Sequence, residues 1–274
     1  MTHVQTGYAE INKARLYYEL AGTGTPFVMI HAGIADSRMW EEEFAHFAKS
    51  HRVLRFDMRG YGKSLPVAGE FNIQDDLHAL LASLDIGSPV ILMGCSIGAG
   101  LSIDYALTHG DEVKSLILIG GEPAGFEADV EWPEDLFAQS EQAFKSGDAD
   151  RVAEIDMRIW FDGVGRSGEH LDQAARTRAF DMARLVAQHE ISAIGRHVRK
   201  AFAAPAAERL AELKMPSLVI VGENDLPFLK LAADYLTTHI PDATRALIAD
   251  AAHLPNMEHP EQFRAIIEDF LSAG

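Results

Sequence analysis

The stretch best suited to chemistry is Gly94-Cys95-Ser96-Ile97-Gly98, which follows the apolar run at residues 89–93. Residues 99–107 after it have a helical pattern, which places the serine at a strand-to-helix junction. The flanking glycines allow a turn so tight that a Cβ at either position would collide with neighbouring backbone. Such a turn lifts the serine hydroxyl above the sheet, so the sequence predicts that Ser96 is a nucleophile.

A serine nucleophile needs a base within hydrogen-bond distance, and the base needs an acid to orient it. Two residues that follow predicted strands meet these needs. Asp225 comes shortly after the strand at residues 218–221, and His253 after the strand at residues 246–248. The chain order Ser, Asp, His is typical of this kind of turn. We therefore predict that Ser96 is the nucleophile, His253 the base and Asp225 the acid.

Each partner also has an ordinary structural interpretation. His253 is one of twelve histidines and could be a surface-loop residue. Asp225 could cap the helix that follows it, with or without a catalytic role. Glu122, just beyond the strand at residues 113–119, is a rival acid. Asp250 follows its strand too closely to face the site, and the pattern favours Asp225 over Glu122.

Two backbone N–H groups should bind the oxygen that becomes negatively charged during acyl transfer. The Ile97 N–H, directly after the serine, is one of them. The other is expected in the loop at residues 31–34, where Gly33 is preferred and Ile34 stays an alternative. His31 directly follows a buried strand, so we interpret its ring as a partner of the loop backbone rather than as a catalytic group.

Two other conspicuous features receive structural interpretations. The stretch at residues 57–62 contains glycines, but no Gly-Lys-Ser/Thr follows a glycine at the spacing that a phosphate loop requires. The pattern therefore favours a structural turn held by Asp57 and Arg59. Cys95 faces away from the site in our interpretation, which favours a small core residue over a reactive thiol.

The elements that must position these residues alternate between strands and helices. Residues 4–20 read as an antiparallel hairpin at a sheet edge. Short apolar runs predict strands at residues 27–30, 53–56, 89–93, 113–119, 217–221 and 245–248. The first two are typical of strands buried on both faces. Helical patterns separate them. The sequence predicts an α/β fold with a mostly parallel eight-stranded sheet and helices on both faces.

The alternation stops between residues 124 and 205, where no convincing strand occurs and the pattern is helical. We predict an all-helical cap at residues 124–205, inserted after the sixth strand into a core formed by residues 1–123 and 206–274. Such an insertion most simply covers the carboxyl edge of the sheet, where ligands bind.

The cap carries aromatic residues that suit an apolar acyl group, although helices at this spacing also need a core of their own. The candidate substrate-binding residues are Trp132, Phe137, Trp160 and Phe161. Three arginines could bind a substrate carboxylate, although such residues more often lie on solvated helix faces; they are Arg158, Arg176 and Arg184.

Composition limits the other classes of function. The chain has 274 residues and a formal charge of −17, which argues against binding to nucleic-acid backbones or anionic membrane surfaces. One cysteine and no visible signal peptide favour the cytoplasm. No apolar run approaches the roughly 20 residues that span a bilayer. A small-molecule substrate is the expected partner, and a homodimer is compatible with the sequence.

Taken together, the motifs make the chain resemble the α/β-hydrolases, in particular the single-domain, serine-triad enzymes that carry a cap. The resemblance covers nearly the whole chain and rests on residues 31–33, 57–64, 94–98, 222–225 and 252–253. It implies a serine triad of Ser96, His253 and Asp225. The first loop departs from the usual His-Gly, because Ala32 follows His31 and the glycine comes one position later.

Within this family, the serine at position 96 argues against the subgroups of enzymes that use an aspartate nucleophile. The favoured activity is acyl transfer from a small carboxylic ester or enol-lactone, with no metal or organic cofactor. Carbon–carbon bond hydrolases rank second, because they usually have a glycine-rich first loop that is longer than residues 31–36 of this chain. A sensor that keeps the triad without turning over a substrate is the alternative outside catalysis.

Overall fold

The computed structural model describes residues 3–200 and 205–273. Its main feature is an eight-stranded sheet, whose strands are β1 (Val4–Ile11), β2 (Ala14–Ala21), β3 (Pro26–Ile30), β4 (Arg52–Phe56), β6 (Val90–Cys95), β7 (Val113–Ile119), β9 (Ser217–Gly222) and β10 (Ala243–Ile248). They lie side by side in the order β1-β2-β4-β3-β6-β7-β9-β10. β2 is antiparallel to both of its neighbours, β1 and β4, and all other neighbouring strands are parallel, which confirms the predicted fold class.

The strands form where the sequence has apolar runs. Every residue of β6 is buried, as expected for a central strand that helices cover on both faces. The β1–β2 hairpin pairs over its full length, from Val4 opposite Ala21 to Ile11 opposite Ala14, and β1 forms the sheet edge as predicted.

Helices cover both faces of the sheet. The helices are α1 (Glu41–Phe47), α2 (Ile73–Ser83), α3 (Ile97–Thr108), α4 (Glu134–Ser146), α5 (Ala149–Asp156), α6 (Gln173–Ala193), α7 (Pro227–His239), α8 (Pro255–Glu258) and α9 (Pro260–Ala273). Residues of α2, α3 and α7 pack in one core cluster, for example Leu77, Tyr105 and Leu236. Residues of α1 and α9 pack in a second cluster with the opposite sheet face, for example Phe44 and Phe263.

The segment between β7 and β9 is mostly helical but not all-helical. It contains α4, α5, α6 and a π-helical turn at Met157–Phe161. It also contains β8 (His197–Arg199), which pairs in parallel with β5 (Gly69–Phe71) outside the main sheet. The prediction of no strand in this segment is therefore wrong in this detail. Three residues are too few to give a recognisable alternation, and their partner lies far away in the sequence. Residues 201–204 of the predicted cap lie outside the described residues.

The cap helices share a third core cluster, which includes Val152, Ile155 and Ala187. Leu226 and Leu229 at the start of α7 belong to the same cluster, so the cap packs directly on the loop after β9. Over residues 3–200 and 205–273, no helix is both long enough and apolar enough to cross a membrane.

Candidate active site

Ser96 lies in the turn between β6, which ends at Cys95, and α3, which begins at Ile97. Its backbone adopts φ 55° and ψ −117°, a strained conformation for a residue with a side chain. A Cβ on Gly94 would lie 2.1 Å from the Gly98 oxygen, and one on Gly98 would lie 2.4 Å from the Ile30 oxygen. Both glycines are therefore required by the turn, as predicted from their spacing.

A hydrogen bond to the neighbouring strand holds this turn in place. The Ser96 N–H donates to the Ile119 oxygen at the end of β7, at 2.8 Å. The next residues of that loop, Gly120 and Gly121, pass close to the site: a Cβ on Gly121 would lie 3.2 Å from the Ser96 oxygen. The strained conformation of Ser96 is thus supported from both adjacent strands.

His253 and Asp225 form a buried pair. The Nδ1–H of His253 donates to the Asp225 carboxylate, at 3.0 Å from Oδ2 and 3.1 Å from Oδ1. Oδ1 also accepts the Leu226 N–H at 2.8 Å, which fixes the orientation of the carboxylate. The N-cap of α7 is Leu226, so Asp225 lies one residue before the capping position considered for it. This arrangement leaves Nε2 of the imidazole as the atom that can accept a proton.

Several contacts bring this pair to the edge of the sheet that carries Ser96. A Cβ on Gly120 would lie 3.0 Å from both His253 Nδ1 and Asp225 Oδ2. The Cys95 Sγ–H donates to the His253 oxygen at 3.6 Å. The three residues predicted from the sequence thus converge on the carboxyl ends of β6, β7 and β9, where a parallel sheet places its ligand site.

The rival acids occupy different positions. No hydrogen bond joins Glu122 to His253 in the described part of the chain. Burial raises the pKa of Glu122, and the nearby imidazole of His253 counteracts part of that rise. Asp250 is exposed, and its N–H donates to Glu223 Oε2 at 3.1 Å. Asp225 is therefore the carboxylate that contacts the imidazole.

The π-helical turn of the cap contacts His253 through Trp160. The His253 N–H donates to the Trp160 oxygen at 3.1 Å. The two rings lie 4.7 Å apart between centroids. A backbone oxygen carries no sequence signal, so this positioning contact could not be predicted. π-Helical turns are often found at functional sites.

A second unpredicted support holds the residue before the histidine. The Ala252 N–H donates to both carboxylate oxygens of Glu258, at 2.8 and 3.1 Å. Arg166 of the cap lies beside this carboxylate, with Nη1 3.6 Å from Glu258 Oε2, and its Nη2 donates to the Asp250 oxygen at 2.8 Å. Burial raises the pKa of Glu258 to about 8. The His253 loop is thus held by the cap as well as by the core.

The first loop lies beside the serine turn, because a Cβ on Gly33 would be 3.7 Å from Ile97 Cγ2. The interpretation of His31 is confirmed. Its Nε2 accepts the Met58 N–H at 3.0 Å and its Nδ1–H donates to the Ala32 oxygen at 2.8 Å. Burial lowers the pKa of His31, which favours the neutral ring that these two bonds require.

The turn at residues 57–62 is structural, as predicted. Asp57 accepts the Ser37 and Lys63 N–H groups at 2.9 and 2.7 Å. Arg59 donates to both carboxylate oxygens of Asp76 and to the Asn12 oxygen. These contacts hold loop backbone and an internal carboxylate, which is the structural role expected for the stretch.

The candidate cap residues differ in their surroundings. The ring centroids of Trp160 and Phe137 lie 6.1 Å apart, and those of Phe137 and Trp132 lie 5.8 Å apart, so the three rings form a chain of contacts that begins at His253. Phe161 has no exposed surface and packs in the core of the sheet, so we do not keep it as a substrate-binding candidate. Cys95 is also fully buried, as the core interpretation predicts.

The arginines considered as carboxylate ligands have other partners or face solvent. Arg176 donates to both oxygens of Asp162, at 2.8 and 2.7 Å. Arg184 lies near the surface carboxylates of Asp150 and Asp181. Arg158 is exposed.

Known proteins share the sequence pattern and the fold of this chain. Residues 25–260 match the family model for the α/β hydrolase fold. The chain belongs to the α/β-hydrolase family. This α/β-hydrolase is 23% identical to (E)-2-((N-methylformamido)methylene)succinate hydrolase of Acinetobacter baylyi, over 95% of each chain. It is 26% identical to 3-oxoadipate enol-lactonase 1 of the same species, over 87% of this chain and 85% of the relative.

Solved structures also share the fold. The enol-lactonase of Burkholderia xenovorans superposes with a TM-score of 0.79 at 23% identity, covering 97% of this chain and 100% of the other. A pimeloyl-[acyl-carrier protein] methyl ester esterase of Aeromonas hydrophila is 26% identical to this chain, over 92% of this chain and 98% of the relative. The named relatives thus include an esterase, a hydrolase and an enol-lactonase, which identifies the α/β-hydrolase as an enzyme.

Proposed function

We propose that this α/β-hydrolase is a serine hydrolase that cleaves small carboxylic esters or lactones by acyl transfer. The observation that carries the proposal is the buried His253–Asp225 pair at the same sheet edge as the strained turn of Ser96. Two named relatives act on related bonds, one as an enol-lactonase and one as a methyl ester esterase.

In the proposed mechanism, His253 Nε2 takes the proton of the Ser96 hydroxyl while Oγ attacks the carbonyl carbon. Asp225 stabilises the imidazolium that forms. The N–H groups of Ile97 and Gly33 are the proposed donors to the oxyanion, and losing one donor costs roughly 3 kcal/mol in a comparable site. The imidazolium then protonates the leaving oxygen, and water cleaves the acyl-enzyme by the same steps.

The proposed substrate is apolar near its acyl group. Trp160, Phe137 and Trp132 form a row of aromatic rings that begins at His253. Aromatic walls with few polar groups are typical of pockets for small organic ligands.

The test combines a probe that labels activated serines with a measurement of the hydrolysis of a short-chain 4-nitrophenyl ester. We expect a fluorophosphonate to label Ser96 and the enzyme to turn the ester over many times. Ser96→Ala should lower kcat by at least about 10⁴-fold, because removing a triad nucleophile abolishes the acyl step. Its melting temperature should stay nearly unchanged, since removing one half-buried hydroxyl group usually changes stability little.

Two results would contradict the proposal. One is full activity in Ser96→Ala, which would show that another residue is the nucleophile. The other is ligand-induced stabilisation of the wild type with no turnover of any ester or lactone, which is the behaviour of a sensor.

A further inference from the structure

Two histidines and a glutamate lie together far from Ser96. His78 is on α2, His109 directly follows α3, and Glu112 ends a short 3₁₀ turn at Gly110–Glu112. This turn leads into the amino end of β7, whereas the candidate active site is at the carboxyl ends of the strands. The cluster is therefore separate from the proposed catalytic residues.

The ligand atoms of these residues nearly match the spacing of a metal site. His78 Nδ1 is 3.8 Å from Glu112 Oε2, and His109 Nδ1 is 3.8 Å from Glu112 Oε1. All three ligand atoms lie within 4.8 Å of one another. Tetrahedral zinc with bonds of about 2.0–2.1 Å separates its ligands by about 3.3–3.5 Å. For one ion to bind all three groups, the ligand atoms must approach one another by up to about 1.5 Å.

The surroundings hold two of the ligands in place. The Tyr105 hydroxyl donates to Glu112 Oε2 at 2.6 Å, which orients the carboxylate. The His109 N–H donates to the Tyr105 oxygen at 2.7 Å, and the Glu112 N–H donates to the His109 oxygen at 2.9 Å. Hydrogen bonds that fix a ligand from behind are the usual support of a metal site.

The remaining ligand can adjust. The rings of His78 and His109 are stacked, with centroids 4.4 Å apart and planes 11° apart. Binding one ion requires the Nδ1 atoms to converge, so one ring must rotate. The His78 side chain is 48% exposed, so its ring has room to turn. Its Nδ1 lies 3.3 Å from the Tyr105 hydroxyl, and an ion bound there would replace this contact.

The cluster also offers room for further ligands. A cavity of about 230 Å³ borders it, lined in part by His78, Tyr105 and Glu112. Water can therefore complete the coordination of an ion bound there. Imidazole and carboxylate together suit zinc and the neighbouring transition metals rather than calcium or magnesium.

We propose that His78, His109 and Glu112 form a binding site for a divalent transition-metal ion, with Zn²⁺ as the probe. The ion links α2 to the end of α3 and takes no part in the proposed acyl transfer. The proposal does not depend on the proposed function, because no catalytic residue belongs to the cluster.

The test is calorimetric titration of ZnCl₂ into the full chain without a histidine tag, after treatment with a chelator. We expect one saturable site per chain. The melting temperature should rise by about 5 °C or more at a free Zn²⁺ concentration roughly 100-fold above Kd. His109→Asn and Glu112→Gln should each weaken binding by at least about 10-fold.

Two control variants locate the ion. His46 pairs with a single glutamate at the surface, with Nε2 2.7 Å from Glu268 Oε1. His46→Asn should therefore keep the wild-type affinity for Zn²⁺. His253→Ala should also keep it. Melting curves without metal verify that each variant folds, and His78→Asn replaces any variant that does not.

Either of two outcomes would overturn the proposal. The first is the absence of saturable Zn²⁺ binding in the wild type. The second is binding that is unchanged by loss of His78, His109 or Glu112, or that is lost in His253→Ala, since the ion would then bind elsewhere.

Discussion

At the residue scale, the site depends on a backbone conformation that other contacts must maintain. The φ of 55° and ψ of −117° at Ser96 carry a cost on the order of 1–3 kcal/mol for a residue with a Cβ. The hydrogen bond from its N–H to Ile119 and the close packing of Gly94 against Gly98 oppose relaxation of the turn. The half-buried Ser96 side chain therefore stays at the sheet edge.

The structure also leads to a prediction about which carboxylate serves the histidine. Asp225→Asn should lower kcat by about 10²–10⁴-fold, because an amide can reverse the hydrogen bond and favour the wrong imidazole tautomer. Glu122→Gln should lower kcat by less than about 10-fold, since Glu122 makes no hydrogen bond to His253 among the described contacts. Steady-state kinetics of both variants with a 4-nitrophenyl ester measure this difference. A larger loss in Glu122→Gln would reverse the assignment.

Individual residues of the site differed in how well the sequence could predict them. The pairing of Asp225 with His253 and the tight turn at Ser96 were predictable, because each residue follows an apolar strand pattern. Glu258 and Arg166 were not, since their contacts to the histidine loop depend on how the cap packs against the core. Phe161 fitted an apolar binding site by type alone, and the structure buries it in the core.

At the element scale, α3 can begin directly after the serine only because its first turn lies against β3. Gly98 is the residue at this contact, and a Cβ there would lie 2.4 Å from the Ile30 oxygen. Two residues later on the same helix, a Cβ on Gly100 would meet only the Glu122 oxygen, at an ordinary 3.5 Å.

Alanine substitutions at these two glycines form a matched pair of stability tests. Gly98→Ala should lower the melting temperature by several degrees or prevent folding, because the backbone must move to relieve the clash. Gly100→Ala should be neutral or stabilising by about 0.5–1 kcal/mol, since alanine favours a helix over glycine. Thermal unfolding by circular dichroism compares them. Equal stability of the two variants would show that the turn is not as tight as described.

The elements of the core were more predictable than those of the cap. Apolar runs of strand length predicted β3, β4, β6 and β7 closely, since strands covered on both faces must be apolar. The π-helical turn at Met157–Phe161 and the pairing of β5 with β8 left no local pattern. Both arise from tertiary contacts rather than from intrinsic propensity.

At the scale of the whole molecule, a buried carboxyl group joins the first helix of the chain to the last. Glu43 on α1 is 1% exposed, and its Oε2 accepts a hydrogen bond from Asn256 Nδ2 at 3.3 Å. Its Oε1 lies 3.8 Å from Arg264 Nη1 on α9. Burial nevertheless raises the pKa of Glu43 from 4.5 to about 8, so the neutral form is favoured in the folded state.

This raised pKa predicts how stability depends on pH. Between pH 4.5 and about 8 the folded protein holds a proton on Glu43 that the unfolded chain releases, so this contribution to stability falls as pH rises. Glu43→Gln is neutral at every pH. It should match the wild type near pH 5 and be more stable at pH 8, on the order of 1–3 kcal/mol, or a few degrees in melting temperature.

Glu42→Gln is the control for this experiment. Glu42 is exposed and pairs with Arg264 at 2.7 Å, so its loss should change stability by less than about 1 kcal/mol at both pH values. Thermal unfolding at pH 5 and pH 8 measures all three proteins. A difference between Glu43→Gln and wild type that does not grow with pH would contradict the account.

The central claim is that Ser96 carries the acyl group during turnover. The most direct measurement is rapid acid quenching of the enzyme during hydrolysis of 4-nitrophenyl butyrate, followed by peptide mass spectrometry. We predict one butyryl group on the peptide that contains Ser96, and none in Ser96→Ala. An active enzyme that carries the acyl group on another residue, or on none, would contradict the account.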